Sequence, residues 1–386
     1  MSEGISIFRT TKRIISGVGA IELLGQEVEH LGAKKALIVT DPGMVEAGIV
    51  ERAERVLSEA KVPFVVFDGV EPEPRIEVAT TCAARVKEHD CDLTIGLGGG
   101  SPMDVAKMGA ILATNPDELD TYFGIDQVPN PGLPIIAAPT TAGTGSEVSP
   151  NAILLDTEEK LKKGVVSPHL FPQVAILDPE LTVTMPPDIT ASTGMDALVH
   201  AIEAYTSLNA TDRTDLLALR AIELISQNLR GAYANGADME ARTNMLEGSL
   251  IAGMAFCNAG TAAVHALAYP LGGAYGTSHG VSNTLMLSYV MGFNMIACVR
   301  KFAWIASAMG EITEGLSHFE AADRAVRAVE HLARDVQVPQ KLREVGVPEG
   351  AIPDLAEGAM KVTRLLRNNP RQMTLKDATE IYRQAY

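Results

Sequence analysis

Four residues in the second half of the chain have the types and spacing of a metal site: Asp196, His200, His265 and His279. His200 follows Asp196 by four residues, which places both side chains on one face of a helix, one turn apart. The other two histidines flank a glycine-rich bend. A lone histidine on an apolar helix face is more often a satisfied core residue, but the joint pattern predicts a divalent-metal site.

The ligand types narrow the choice of ion and its chemistry. Neutral imidazoles bind iron, zinc, nickel or copper, and a carboxylate shifts the preference towards harder ions such as iron(II). Three histidines and one aspartate leave a bound divalent ion with net positive charge. Such a site can polarise a carbonyl group or lower the pKa of an alcohol.

A glycine-rich segment in the first half leads from a strand-like run into a helical pattern. It contains Gly98, Gly99, Gly100 and Ser101, followed by Pro102. Ser101 is a good N-cap and Pro102 suits the first helical position, while the glycines let backbone N–H groups approach an anion. The segment predicts a pyrophosphate site, with a tight turn that binds nothing as the alternative. It departs from the usual dinucleotide fingerprint, in which a glycine would replace Ser101.

Two further segments have the composition of nucleotide contacts. Asp41 ends a strand-like run and could accept hydrogen bonds from an adenosine ribose, which would favour NAD over NADP. An Asp-Pro-Gly sequence is, however, more often only a turn. A second loop follows the run 135–138 and carries the hydroxyl groups of Thr140, Thr141, Thr144 and Ser146. Hydroxyl and N–H groups of this kind can bind phosphate or a nicotinamide amide.

These loops depend on the elements that position them. Short β-branched runs at 36–40, 64–67, 93–97, 135–138 and 174–177 alternate with helical patterns. Such runs predict a parallel sheet covered on both faces, and ligands bind at the carboxyl ends of its strands. After residues 185–187 the pattern becomes helical. We therefore expect an α/β Rossmann-like domain over 1–186, an all-helical domain over 187–386, and a site in the cleft between them.

Composition excludes several classes of protein. The 386 residues are too many for one ordinary core, and the 46% of hydrophobic residues suffice for two. The net charge of −16 disfavours nucleic acid and anionic membranes as partners. Four separated cysteines with no Cys-x-x-Cys pair predict neither disulfides nor a thiolate zinc site. No signal peptide or membrane span is indicated, so we expect a cytoplasmic enzyme.

In combination, these motifs resemble those of the iron-containing (group III) alcohol dehydrogenases over essentially the whole chain. The matching segments are 98–101 with Asp104 and Lys107, 139–147, 194–203, 265–273 with 279–280, and 369–371. The resemblance implies an N-terminal nucleotide-binding domain, an all-helical C-terminal domain and a homo-oligomer, a dimer or higher. It implies Asp196, His200, His265 and His279 as ligands of a divalent metal, usually Fe2+.

The resemblance also assigns contacts to the cofactor NAD and to the substrate. The implied cofactor contacts are Asp41, Gly99, Gly100, Ser101, Asp104, Thr140, Thr141, Thr144 and Lys162. Asn151 and Phe256 match positions that line the substrate and nicotinamide pocket.

Two residues depart from the family pattern. Tyr269 stands where many members carry a second histidine, four residues after the third ligand, that is often assigned to a proton relay. A phenol has a much higher pKa than an imidazole, so a relay at Tyr269 is an open question. Glu73 stands where many relatives have asparagine in a turn at the pocket mouth, and an acid there could alter which substrates are accepted.

The predicted function is reversible hydride transfer between NAD(H) and a small primary alcohol or aldehyde whose oxygen binds the metal. One alternative is a zinc polyol dehydrogenase resembling glycerol dehydrogenase, but that group lacks this full ligand pattern. Another is a lyase resembling dehydroquinate synthase, which would need a lysine- and arginine-rich pocket that the sequence around the histidines does not show. A metal-storage protein would leave both nucleotide loops unexplained.

Overall fold

The chain divides into two compact units. The computed structural model describes residues 5–115, 118–158 and 161–386. One unit comprises Thr10–Met185, and the other comprises Pro186–Tyr386 together with the described residues before Thr10. Each unit is described by itself.

The α/β unit contains nine strands and five α-helices in its described part. Its strands are β1 Arg13–Ser16, β2 Ala36–Val39, β3 Phe64–Phe67, β4 Leu93–Gly98, β5 Gly124–Ile125, β6 Ile135–Pro139, β7 Asn151–Asp156, β8 Leu161–Val166 and β9 Val174–Leu177. Its helices are α1 Leu24–His30, α2 Pro42–Glu46, α3 Ile49–Glu59, α4 Ile76–Glu88 and α5 Gly100–Thr114.

Six of these strands form one parallel sheet in the order β1-β9-β6-β4-β2-β3. The five strands predicted from β-branched runs are confirmed, and β1 adds a sixth at one edge. Strands β2, β4 and β9 are completely buried because helices cover both faces. One face packs on α1 and α3, and the other packs on α4 and α5.

A second, smaller sheet in the order β5-β8-β7 was not predicted. Strands β7 and β8 pair antiparallel, from Asn151 opposite Val166 to Asp156 opposite Leu161. Alternate residues of β7 are buried, since this sheet covers a smaller apolar cluster with only one face. The sheet places Asn151 and Lys162 on adjacent strands.

The second unit contains only helices in its described part, as predicted. They are α6 Pro187–Thr206, α7 Asp212–Ala234, α8 Met239–Ala259, α9 Ala263–Tyr275, α10 His279–Met295, α11 Val299–Ala308, α12 His318–Asp335, α13 Ile352–Met360, α14 Thr363–Leu366 and α15 Leu375–Ala385. No single helix among the described residues is long and apolar enough to cross a membrane, and only the bent pair α8 with α9 passes by length and composition.

Candidate functional site

Helix α6 carries the first two predicted ligands in the centre of the helical unit. The helix begins with a proline at its first position, which suits a helix N-terminus, and sixteen of its twenty residues are buried. Asp196 and His200 lie one turn apart, with 3% and 5% of their surface exposed. A carboxylate and an imidazole buried this deeply need polar partners, which the neighbouring helices supply.

Helices α9 and α10 carry the other two histidines. His265 lies in the first turn of α9, and His279 is the first residue of α10. The bend between them is shorter than the sequence indicated, because Gly272 lies within α9 and the turn begins at Gly276, which has a φ of +64°. Gly280 allows α10 to approach α6, because a Cβ atom there would lie 2.2 Å from the carbonyl oxygen of Ser192.

The four side chains converge in the structure. Each of Asp196, His200, His265 and His279 offers one ligand atom, and these atoms all lie within 4.8 Å of one another. The rings of His200 and His265 stack with centroids 4.8 Å apart, and that of His279 lies 5.3 Å from His265. Three imidazoles and a carboxylate around so small a volume form a donor set that suits iron(II), zinc or another divalent metal.

Glu203 orients one of these histidines. Its Oε2 atom lies 2.6 Å from Nδ1 of His265, and its Oε1 accepts a hydrogen bond of 2.6 Å from the backbone N–H of Val264. A carboxylate at Nδ1 fixes the proton there and leaves Nε2 as the ligand atom. Glu203 was not predicted from the sequence, although its spacing of seven residues from Asp196 places both side chains on one helix face and was a usable signal.

Asn283 is a second residue that contacts the cluster and was not predicted from the sequence. Its Nδ2 donates a hydrogen bond of 2.6 Å to Oδ1 of Asp196 and lies 3.2 Å from Nε2 of both His265 and His279. Its Oδ1 is buried without a hydrogen-bond partner among the described residues. Asn283 follows His279 by four residues, so helical spacing also pointed to it.

The electrostatic environment keeps Asp196 ionised. Burial alone would raise the pKa of this carboxyl group. The positive potential of His200, His279 and His265, together with the hydrogen bond from Asn283, outweighs burial and holds the pKa below its usual value. An ionised carboxylate is the form that binds a metal.

Two aromatic residues border the ligand cluster. Phe256, on α8, stacks on His200 with ring centroids 4.4 Å apart. The ring of Tyr269 lies 6.3 Å from that of His279. Burial raises the pKa of Tyr269, despite the charge of Arg364 and its hydrogen bond to the phenol. Arg364 lies 95 residues beyond Tyr269 in the chain. A search for basic residues close to the histidines in sequence therefore could not find it.

The α/β unit brings the glycine segment and the hydroxyl loop together. Strands β4 and β6 are neighbours, and the N–H of Thr140 donates to the carbonyl oxygen of Gly98. Gly98 has a φ of +148°, and a Cβ atom there would lie 2.7 Å from Pro102. A Cβ atom on Gly100 would lie 2.9 Å from Cγ2 of Thr144. The backbone therefore passes close to the second loop, which only glycine permits.

The start of α5 differs from the prediction. The N-cap is Gly99 and the helix begins at Gly100, so Ser101 and Pro102 lie inside its first turn and Ser101 is not the cap. The glycine has an extended conformation that leads directly from β4 into the helix. The first N–H groups of α5 consequently belong to the glycine segment, which is the arrangement that an anion site requires.

Two hydroxyl groups in the second loop suit a nucleotide. Oγ1 of Thr140 and Oγ1 of Thr141 are buried and have no hydrogen-bond partner within the described ranges. Buried polar atoms normally have partners, and unsatisfied ones call for an explanation. A bound ligand with polar edges would satisfy them.

Asp41 lies beside the glycine segment but also caps a helix. Its side chain accepts a hydrogen bond of 3.2 Å from the N–H of Met44, at the start of α2. A Cβ atom on Gly98 would lie 3.3 Å from Oδ2 of Asp41, because β2 and β4 are neighbours. Burial raises the pKa of this carboxyl group. Asp41 is thus both the turn residue and a neighbour of the candidate nucleotide loop.

Asp104 and Ser146 form hydrogen bonds within the protein. Ser146 Oγ donates to Oδ1 of Asp104 over 2.6 Å and accepts from Nζ of Lys107 over 2.6 Å. Oδ2 of Asp104 accepts from the N–H of Ile153, and Lys107 also donates to the carbonyl oxygen of Asn151. This network holds α5, the hydroxyl loop and β7 together.

Glu73 and Lys162 form an ion pair in the same unit. Lys162 Nζ lies 2.6 Å from Oε1 of Glu73, and the two side chains are 9% and 32% exposed, respectively. Glu73 has a φ of +54°, a conformation that few residues other than glycine adopt. Lys162 was predicted to contact the cofactor and Glu73 to lie at the mouth of the substrate pocket, and the fold pairs the two residues.

Comparison with known proteins identifies the family. The model of the iron-containing alcohol dehydrogenases matches residues 11–179. The model of the Fe-containing alcohol dehydrogenase family, C-terminal, matches residues 190–386. The chain belongs to the iron-containing alcohol dehydrogenase family. One relative, the 1,3-propanediol dehydrogenase of Citrobacter freundii, is 46% identical over 373 residues, which cover 96% of each chain.

Solved structures of the same family share this fold. The crystal structure of a 1,3-propanediol oxidoreductase has a TM-score of 0.97 and 42% identity, and the match covers 99% of this chain and 100% of that one. The sulfoacetaldehyde reductase of Bifidobacterium kashiwanohense, solved in complex with NAD+, has a TM-score of 0.89 and 32% identity, with 99% of each chain covered. The resemblance inferred from the motifs is confirmed.

Proposed function

We propose that this protein catalyses reversible hydride transfer between NAD(H) and a small primary alcohol or aldehyde, with a divalent metal at Asp196, His200, His265 and His279. The observation that carries the proposal is the convergence of these four side chains within 4.8 Å in a member of the iron-containing alcohol dehydrogenase family. The family relatives named above act on propanediol and sulfoacetaldehyde, so an alcohol or aldehyde is the expected substrate class.

The helical unit holds and orients the metal in this proposal. When bound, the metal supplies Lewis acidity towards the substrate oxygen. Glu203 holds the proton of His265 on Nδ1, and Nδ2 of Asn283 donates a hydrogen bond to Oδ1 of Asp196. Both side chains are therefore oriented before a metal binds. Phe256 packs on His200 and supplies an apolar wall that excludes water from the imidazole face.

The α/β unit supplies the nucleotide contacts in the same proposal. The N–H groups of the segment from Gly98 to Ser101, which leads from the end of β4 into α5, bind the pyrophosphate. The hydroxyl groups of Thr140 and Thr141 donate to the nucleotide. Asp41 accepts from the adenosine ribose and disfavours a 2′-phosphate. Lys162 contributes positive charge. Asp104 and Ser146 shape the loop through their bonds to each other and to Lys107.

Residues near the reacting groups complete the proposal. Thr144 packs on Gly100 and sets the distance between the two loops, and Asn151 lines the nicotinamide pocket at the start of β7. Tyr269 places a phenolic O–H beside His279, at the border of the ligand cluster, where it can contact the substrate.

The proposal extends to metal, assembly and location. The family name and the aspartate ligand favour Fe2+, and imidazole ligands also accept Zn2+ or another divalent ion. We propose a cytoplasmic homo-oligomer, a dimer or higher, that acts on small molecules and binds neither nucleic acid nor membrane.

The test is an NADH oxidation assay with short aldehydes after removal of all metal and separate reloading with Fe2+, Zn2+ or Ni2+. Turnover should be absent without metal, should return with at least one ion and should stay absent in His265→Ala. Asn294→Ala, a change at a buried residue elsewhere on α10, is the control for folding. Equal turnover with and without metal would refute the proposal.

A further inference from the structure

The strongest feature that the proposed function leaves unused is Arg364. It lies on the short helix α14, which packs on α9, the helix that carries Tyr269. Its side chain is half-buried, and its positive charge acts on the phenol of Tyr269 to oppose the rise in that group's pKa. No carboxylate forms an ion pair with it in the part of the chain that the structure describes. Lys162, by contrast, has an acidic partner in Glu73.

A half-buried guanidinium without an acidic partner is poised to bind an anion. Arginine carries five N–H donors in a planar fork, and a contact with the single phenol oxygen of Tyr269 would leave most of them available. Removing such a charge from water is unfavourable unless an anion or hydrogen-bond acceptors replace the water. The fork matches carboxylate and sulfonate oxygens, to which it can donate two parallel hydrogen bonds.

Tyr269 links this cation to the ligand cluster. It follows His265 by one turn on α9, and its ring lies 6.3 Å from that of His279. Three neutral imidazoles and one carboxylate around a divalent ion carry a net positive charge, and Arg364 adds another nearby. This local field favours a negatively charged substrate, although the whole chain carries a net charge of −16.

We propose that Arg364 and Tyr269 form a subsite for an anionic group on the substrate, so that the enzyme acts on short aldehydes and alcohols that end in a carboxylate or sulfonate. This inference rests on the proposed function, because it assumes that the reacting oxygen lies at the four-ligand cluster. On this inference, Tyr269, which stands where many family members carry a relay histidine, contributes to substrate selection. The sulfoacetaldehyde reductase relative indicates that the fold accommodates an anionic aldehyde in at least one protein.

The kinetic test compares matched aldehydes. With NADH and reloaded metal, kcat/KM is measured for 4-oxobutanoate against butanal and for 3-oxopropanoate and sulfoacetaldehyde against propanal. We expect the anionic member of at least one pair to be favoured by about 10-fold or more, which is the scale of one charge-assisted hydrogen-bonded contact. The carboxylate and sulfonate arms distinguish the two head groups.

Variants at Arg364 show whether the guanidinium causes the preference. In Arg364→Gln the anionic-to-neutral ratio should fall by about 10- to 100-fold, chiefly through KM, and Arg364→Lys should keep part of it because the charge remains. Arg367→Gln, at an exposed arginine immediately after α14, is the matched control and should keep the full ratio. An unchanged ratio in Arg364→Gln, or a wild-type preference for the neutral aldehydes, would overturn the inference.

A binding measurement separates this inference from the proposed function. Calorimetry compares the affinity of the protein for 4-hydroxybutanoate with that for 4-hydroxybutanamide. The nucleotide is left out, so neither alcohol can be oxidised. Tighter binding of the anion, lost in Arg364→Gln, supports the subsite even if no aldehyde is turned over, an outcome that would refute the proposed function alone. Equal binding of acid and amide would refute the subsite.

Discussion

Oε2 of Glu203 lies 2.6 Å from Nδ1 of His265, and both side chains are 4% exposed. The same carboxylate accepts the N–H of Val264, so it ties the first turn of α9 to α6. One carboxylate therefore fixes two groups, the start of a helix and an imidazole. The geometry is that of a carboxylate that orients a metal-binding histidine.

The first prediction concerns this carboxylate. Glu203→Gln keeps the size of the side chain but removes the charge that holds the proton on Nδ1 of His265. Affinity for a divalent metal should weaken by about 10- to 100-fold, the usual effect of losing such a partner. The measurement is a competition titration with a chelating dye. Glu247→Gln, at a half-buried glutamate on α8, should leave the affinity unchanged, and equal affinities in wild type and Glu203→Gln would contradict the role.

The second prediction concerns Asn283, whose amide donates to Asp196 over 2.6 Å. Asn283→Ala removes that bond, so the carboxylate is less firmly oriented and metal affinity should fall by about 10-fold. Asn294→Ala lies on the same helix and removes an amide bonded to Asn369. That control should lower the free energy of unfolding without changing metal affinity. The role is wrong if both variants behave alike in the metal titration.

The third prediction concerns the ion pair between Glu73 and Lys162. If the ammonium group of Lys162 contacts the nucleotide, Glu73 competes with the nucleotide for that group, because its Oε1 lies 2.6 Å from Nζ of Lys162. Glu73→Gln should release the ammonium group and lower the dissociation constant for NADH by about 3- to 10-fold, as expected for a partly exposed pair. Fluorescence titration of NADH measures this. Glu71→Gln breaks the pair with Arg75 in the same loop and should have no effect. Weaker binding in Glu73→Gln would contradict the competition.

The fourth prediction concerns the pH dependence of stability. Burial raises the pKa of Glu147 from 4.5 to about 7, and its Oε1 has no hydrogen-bond partner among the described residues. A raised pKa in the folded state means that the protonated group favours folding below pH 4.5 and that this contribution is lost as the pH rises through 7. Glu147→Gln should therefore gain stability relative to wild type over that window, by up to about 3 kcal/mol at pH 8.

Urea unfolding at several pH values, with intrinsic fluorescence as the signal, measures the effect of Glu147→Gln. The exposed Glu46→Gln provides the control, and its curve should run parallel to that of wild type. If the Glu147→Gln and wild-type curves also run parallel from pH 5 to pH 8, burial does not perturb Glu147 as stated.

The sequence predicted the parts of the fold that depend on burial. The five central strand runs are apolar because helices cover both faces of the sheet, so they stand out in sequence. Strand β1 was missed because its residues are exposed or half-buried. Strands β7 and β8 were missed because only one face of their sheet packs on an apolar cluster, and because β8 has lysines at two consecutive positions, Lys162 and Lys163, which interrupt an apolar run.

The sequence also predicted the four side chains that converge, but not the residues that hold them in place. Asp196 and His200 share a helix, so their spacing is visible, whereas Glu203 and Asn283 were overlooked although each is helically spaced from a ligand. The contact between Arg364 and Tyr269 joins residues far apart in the chain, and no local pattern reveals such a contact. The prediction of Ser101 as the N-cap was wrong, because the cap is Gly99, whose conformation depends on the adjoining strand.

The most direct test of the central claim is the metal stoichiometry of the purified protein, measured by plasma mass spectrometry after reloading and removal of excess ion. The four converging side chains predict one divalent ion per chain in wild type and in Asn294→Ala, and none in Asp196→Ala or His265→Ala. Wild-type protein that retains no metal, or variants that retain a full equivalent, would contradict the claim.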